Sequence, residues 1–511
     1  MELTKFVDEL PTIPTLKPNA ILNGVPYYEV TMLQCHQQLH RDLPPTTIWG
    51  YNGMYPGPTI EAFSHQLIRV CWKNQLPTKH FLPVDKTVHG AEPPNPEVRT
   101  VVHLHGGATP DYSDGYPEAW FTNDFQQVGP YFVTKTYDYP NLQPSTALWY
   151  HDHAVGITRL NIYAGLSGFY LIRDTQEQML NLPRGNYEVP LLVQDRSFNE
   201  DGSLYYPCEP EEPVEGVCPS VVPEFFGDTI LVNGKVWPYL DVEPRRYRFR
   251  LLNASNSRFY NFSLSSNQFF YQIGSDQGLL EQPVMTKEIL LGPAERADII
   301  VDFSTQFGNT ITLQNSAPSP FPGGDPPNPE TTGLILQIRV IRPLCSLDQS
   351  TIPYYLTYMP TLSENLASKN RLLSLDMAKD AYGREIHLLD NKRWADPITE
   401  CPKLGTYEVW SFINTTEDAH PIHIHLVRFQ VLDRQPYNVD VYQQTDEIVT
   451  TGSKIPPPLN ERGWKDTVIA NPGEITRVIF AVGPFSGLYV WHCHILEHED
   501  HEMMLPYIVI K

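Results

Sequence analysis

The chain has 511 residues, 37 basic and 59 acidic side chains and a formal net charge of −22, with 19% charged and 12% aromatic residues. At about 150 residues per domain this length predicts roughly three domains, and an acidic surface that repels phosphate backbones excludes general nucleic-acid binding. The longest apolar runs, such as Val478 to Val482 and Tyr507 to Ile510, are strand-sized and far short of the ~20 residues of a membrane helix.

The opening MELTKFVDELPTIPTLKP carries acids, no apolar stretch and no small-residue cleavage site, so no secretory signal is expected. With 48 prolines against 31 glycines, short strands joined by stiff loops are favoured over long helices. A weak repeat follows. Asn52-Gly53 precedes the strand-like Gln66 to Trp72, Asn233-Gly234 precedes Tyr247 to Leu252, and Asp390-Asn391 precedes Tyr407 to Ile413. The offsets are 233 − 52 = 181 and 391 − 233 = 158 residues, which fits three related β-units. Composition places the units at 1–176, 177–341 and 371–511, with an aperiodic connector at 342–370. A Pro-rich insertion from about Arg434 to Gly463 is read as surface loop, extended at Pro456 to Pro458. The seven cysteines (35, 71, 208, 218, 345, 401 and 493) are odd in number and scattered, so there is no disulfide framework. Cys208 and Cys218 share one loop, and a bridge or two free thiols are the alternatives there.

Histidine is the informative residue. Among 17 His, chance gives roughly half of one H-x-H pair. There are four: His103/His105, His151/His153, His423/His425 and His492/His494. On a strand, residues two apart share a face, so each pair offers two imidazoles together. Two pairs lie in the first unit and two in the last, so the outer units are expected to abut, with eight imidazoles holding a cluster of two or three metal ions. The last unit adds Cys493 between His492 and His494, then His498 and Met503 five and ten residues on, with His420 upstream. A thiolate, two imidazoles and a weak thioether form the ligand set of a blue-copper electron-transfer site. In the first unit the matching positions are Asp152, Ile157 and Ile162, so one mononuclear copper per chain is expected. Cys493 on one face of its strand and its two His neighbours on the other give an electron a short covalent route. That points to dioxygen reduction to water.

The motifs HLHG (103–106), WYHDH (149–153), HPIHIH (420–425) and HCHILEHEDHEMM (492–504) resemble those of the multicopper oxidases. KFVDELP near the start and SDGYPEAWF (113–121) are similar to the bacterial spore-coat laccases. The resemblance implies an all-β fold of three cupredoxin-like Greek-key domains and four coppers per chain. It implies a type 1 copper on His420, Cys493 and His498 with Met503 axial, and a type 2 copper on His103 and His423. The type 3 pair falls to His105, His151, His153, His425, His492 and His494. It further implies oxidation of phenols and aromatic amines coupled to reduction of O2, with Glu499 and Asp114 relaying protons. Cytoplasmic synthesis, deposition in the spore coat beside other coat proteins, a monomeric state and no membrane partner follow the same likeness. A bilirubin oxidase, a metal-ion oxidase or a non-catalytic copper-binding coat protein are the alternatives on this scaffold. The nine Met form no Met-rich segment of the kind cuprous oxidases carry, which favours organic donors bound shallowly at the rim near His420. One departure is the loop before His420, where the spore-coat group carries an Arg and this chain has Glu417 and Asp418. Two acids there should disfavour anionic donors.

Overall fold

Alternating burial builds the layers. Along Val25–Gln37 the side chains of Tyr28, Val30 and Met32 are buried, while Tyr27, Glu29 and Thr31 are half-covered. Such a strand lays one face on a core and the other toward water. In the computed structural model, which describes residues 3–511, strands of this kind pair into sheets that follow the chain as three successive couples. The first third makes a five-stranded and a four-stranded sheet, and the last third repeats those numbers. The middle third makes an eight-stranded and a five-stranded sheet.

The repeated turn has one physical form. Asn52-Gly53, Asn233-Gly234 and Asp390-Asn391 all have positive φ at both residues. Each closes a two-residue reversal, Tyr51 opposite Met54, Val232 opposite Lys235 and Leu389 opposite Lys392. Two left-handed residues match the twist of the flanking strands, which is why Asn, Asp and Gly stand there. The strands expected after these turns are Ile68–Asn74, Arg246–Asn253 and Tyr407–Asn414.

Two local expectations change. A strand begins at Ala367, inside the stretch expected to be connector, because it pairs in parallel with Tyr407–Asn414. The Pro-rich insertion is not all loop. It opens with the end of the strand Phe429–Pro436 and holds the helix Val439–Thr445, capped by Asn438 through the Val441 N–H at 3.1 Å. Pro458 is extended, at φ −60° and ψ 160°. Cys208 and Cys218 are both free and exposed. No helix among the described residues is long and apolar enough to cross a membrane.

The four-stranded sheets position the site. In the first, Val102–His105 pairs antiparallel with Thr146–Asp152, setting His103 opposite His151. In the last, His420–Ile424 pairs with Gly487–Cys493, setting His423 opposite His492. Val102–His105, Thr146–Asp152 and His420–Ile424 are buried throughout, on both faces, because the outer thirds press these sheets together. Tyr489 Oη donates to the Thr109 carbonyl across that seam at 3.0 Å. The short helices Thr158–Ala164 and Leu496–Asp500 also meet there. The Asp500 carboxylate accepts from the Thr158 and Arg159 N–H groups, at 3.0 and 2.9 Å, and from Arg159 Nη1 at 2.9 Å. A carboxylate on the free N–H groups of a helix start is stabilising and satisfies donors the helix cannot.

Candidate metal centres

All eight paired imidazoles converge at the seam. Three sets have ligand atoms within 4.8 Å of one another: His103 with His105 and His423; His105 with His151 and His494; and His153 with His425 and His492. In the last set the three Nε2 atoms stand 3.1 to 3.3 Å apart.

The surroundings fix which nitrogen faces inward. His103 Nδ1 donates to the Asp114 carbonyl at 2.6 Å, His151 Nδ1 to the Asp152 carbonyl at 2.8 Å, and His423 Nδ1 to the Asp466 carbonyl at 2.7 Å. His492 Nδ1 donates to the Cys493 carbonyl at 3.0 Å and His425 Nδ1 to Asp114 Oδ2 at 2.7 Å. His105 is turned round and donates from Nε2 to Asp466 Oδ1 at 3.0 Å. The opposite atoms, His103 Nε2, His105 Nδ1, His151 Nε2 and His423 Nε2, are buried and have no hydrogen-bond partner among the described residues. Neither nitrogen of His494 has one. Burial first, and neighbouring imidazoles second, hold His103, His105, His153, His425 and His494 well below the usual imidazole value. Burial also pushes His151 and His423 down to about 3. Neutral rings with outward N–H groups anchored and inward lone pairs unpaired are what a metal cluster needs and what a folded apolar core would avoid.

The second centre lies on the other face of the Gly487–Cys493 strand. Cys493 Sγ is 3.6 Å from His420 Nδ1 and 3.8 Å from His498 Nδ1, and all three residues are buried. The Ile495 N–H points at the sulfur from 3.4 Å. Met503 is fully buried in the same apolar cluster, and its backbone is tied to both neighbours, carbonyl to the Cys493 N–H at 3.1 Å and N–H to the His498 carbonyl at 2.9 Å. Burial raises the Cys493 thiol well above its usual value. A sulfur this desolvated becomes a thiolate only with a cation beside it, which the two imidazole nitrogens close to it suit.

The two acids picked from the sequence both reach the cluster. Asp114 holds His425 through Oδ2 and His103 through its carbonyl. Glu499 Oε1 lies 3.2 Å from His153 Nδ1 and Oε2 lies 3.1 Å from His492 Nδ1, without hydrogen-bond alignment. Burial raises both carboxyls, Asp114 strongly. A carboxyl whose hold on a proton is raised by burial is suited to pass one on.

Other contributors carried no motif. Asp466 holds His105 by its side chain and His423 by its backbone, and is itself gripped by Arg296 Nη1 at 2.7 Å and Gln277 Nε2 at 2.6 Å. Burial alone would raise the Asp466 carboxyl, but the Arg296 guanidinium outweighs it and sets it at about 2. The middle third therefore reaches the cluster through Arg296 and Gln277. Gly106 of HLHG sits under this knot at φ +81°, where a Cβ would come within 2.3 Å of Asp466 Oδ2. At the rim near His420 the ring itself is fully buried and its Nε2 bonds Thr416 Oγ1 at 2.7 Å, while Thr416 and His387 line the adjoining cavity.

This combination of β-sandwiches, a buried His cluster and a His/Cys/His centre defines a class. Residues 366–511 and 34–98 match two family models, both described as Multicopper oxidase. A laccase of Bacillus subtilis is 56% identical over 99% of this chain and 98% of its own length. A laccase of Bacillus stratosphericus is 52% identical over the whole of both chains. The crystal structure of a multi-copper oxidase from Pediococcus acidilactici superposes with a TM-score of 0.78 at 28% identity, covering 100% of this chain and 93% of that one. The chain belongs to the multicopper oxidase family and has its all-β, cupredoxin-like fold. Within the family it is a laccase-type, copper-binding oxidoreductase.

Proposed function

We propose that the chain holds four coppers. His420, Cys493, His498 and Met503 would hold the type 1 ion, and His103 and His423 the type 2 ion. His105, His151, His153, His425, His492 and His494 hold the type 3 pair. The observation that carries this is the set of inward, unpaired imidazole nitrogens grouped at the seam. When bound, copper takes single electrons from phenols or aromatic amines at the mononuclear site and supplies four to O2, giving water. The protein's share is to orient and to supply protons. Asp114 and Glu499, protonated more readily than ordinary acids, stand against His425, His153 and His492 and deliver protons toward the cluster. Asp466, fixed by Arg296, keeps His105 and His423 in register.

Donor choice follows from charge. A cavity of 540 Å³ beside Thr416 carries Asp376, Glu385, Glu417, Asp418 and Asp446 in its wall and no Lys or Arg. Burial first, then Glu385 and Glu417, raises the Asp418 carboxyl, a sign of crowded negative charge. Neutral and cationic donors are favoured over anionic ones. The chain acts as a monomer, made in the cytoplasm and deposited in the spore coat, a reading supported by its likeness to Bacillus laccases. The units 1–176, 177–341 and 371–511 are its folding domains, joined through 342–370. Oxygen uptake with a simple phenol, accompanied by an intense blue absorption, is the test. A copper-loaded protein that is colourless, or blue without uptake, defeats the reading.

A further inference from the structure

One buried histidine outside every metal set faces a cavity. His387 lies on the edge strand Glu385–Leu389, is 3% exposed and makes no hydrogen bond among the described residues. The nearest carboxylate, Glu385 Oε1, is 3.8 Å from its Nε2, too far to satisfy it. Its ring stacks on His498, with centroids 3.9 Å apart and 28° between planes, and stands 5.3 Å from the ring of His420. The same ring forms part of the wall of the 540 Å³ cavity, together with Thr416, Met377 and Tyr442, whereas His420 and His498 do not reach it.

The ring nitrogens have no hydrogen-bond partner among the described residues and are not sealed from solvent, so they are open to the cavity. The unpaired polar edge therefore faces toward whatever enters the cavity, and the volume is that of a site for a small aromatic molecule. Met377 and Tyr442 offer apolar contact for a ring, and the acidic wall excludes an anion. We propose that His387 is the donor-docking residue. It hydrogen-bonds the hydroxyl or amino group of a neutral or cationic phenol or aromatic amine, and its stacked ring seats that donor on the His498 side of the mononuclear centre. This rests on the laccase reading above.

The test compares copper-loaded wild type, His387→Leu and His387→Gln. Binding of p-cyanophenol, a phenol too electron-poor to be turned over, is measured by equilibrium dialysis. KM and kcat are measured with an oxidisable phenol, and the blue absorption reports the mononuclear centre. The leucine variant should bind p-cyanophenol about tenfold more weakly, with KM raised by a similar factor. The glutamine variant should keep most of the affinity, because its amide also donates and accepts. The blue band should be alike in all three. Wild-type affinity in the leucine variant, with the blue band intact, overturns the proposal. So does a wild-type crystal soaked with p-cyanophenol in which the hydroxyl is not on a His387 nitrogen, however the variants fold. Oxygen uptake by the wild type tests the laccase reading separately, and the dialysis and crystal results decide the role of His387 whichever way that assay falls.

Discussion

Tyr150-His151-Asp152-His153 and Trp491-His492-Cys493-His494 occupy the same place in two four-stranded sheets, each between the other His strand and a further antiparallel strand. Their imidazoles do the same work. His151 and His492 both anchor Nδ1 on the carbonyl of the central residue and turn the far nitrogen to the seam. The central side chain, on the opposite face, differs in kind. Asp152 is saturated, accepting from the Val101 N–H at 3.0 Å, the Ala154 N–H at 3.1 Å and Asn161 Nδ2 at 2.7 Å. Cys493 meets only the Ile495 N–H and two imidazole nitrogens. One strand design thus closes its back face with a structural carboxylate in the first third and leaves a thiol beside two imidazoles there in the last.

Four changes break or sharpen this contrast. Cys493→Ser should abolish the blue absorption and reduce donor oxidation to background, while the cluster ligands keep their copper. Its converse, Asp152→Cys, should give no second blue centre, because Ile157 and Ile162, five and ten residues on, are buried apolar side chains. Absorption spectra of the two variants check both. Glu499→Gln should leave the blue colour intact but slow reoxidation by O2 about a hundredfold, read by stopped flow. Unchanged reoxidation at full copper load removes Glu499 from proton delivery. Asp152→Ala should spare the colour and cost about 3 kcal/mol, because it orphans three buried donors. Thermal melting should show a midpoint lower by roughly 5–10 °C.

The middle third, which has neither motif, carries a second buried charge network besides the Arg296–Asp466 pair. Glu177 and Glu188 face Arg248, Arg250 and Arg173; burial would raise these carboxyls, and the guanidiniums outweigh it and lower them. Folded-state values below the unfolded value of about 4.3 mean stability present above that pH and lost as the pH falls toward the depressed values. Denaturant midpoints measured between neutral and strongly acidic pH should drop below about pH 4, and less so in Glu188→Gln. This is the smallest of the effects, because stability changes little with pH near neutrality, where both carboxyls are ionised folded or unfolded.

Much of the site was legible because strand periodicity is rigid. Residues two apart must share a face, so four H-x-H pairs and Cys493 declare their sides without any knowledge of the fold. The turns were legible for a similar reason, since Asn-Gly has few other uses between strands. Asp466, Arg296 and Gln277 were not, because they meet His105 only after the middle third folds against the seam, and no local spacing encodes that meeting. His387 is a lone histidine in the sequence, and only the fold stacks it on His498. The helix Val439–Thr445 was hidden by the prolines around it, although Asn438 three residues before Val441 was a readable cap. The cover over His420 was not legible either, because Thr416 meets its Nε2 only through the fold of the loop.

The most direct test is a copper count on fully loaded protein, taken with absorption and paramagnetic-resonance spectra of the same sample. The account predicts four coppers per chain, two of them individually paramagnetic and one of these intensely blue, with the remaining two coupled and silent. A chain that saturates with fewer ions, or that fills the His sets while Cys493 stays uncoordinated and the sample colourless, contradicts it.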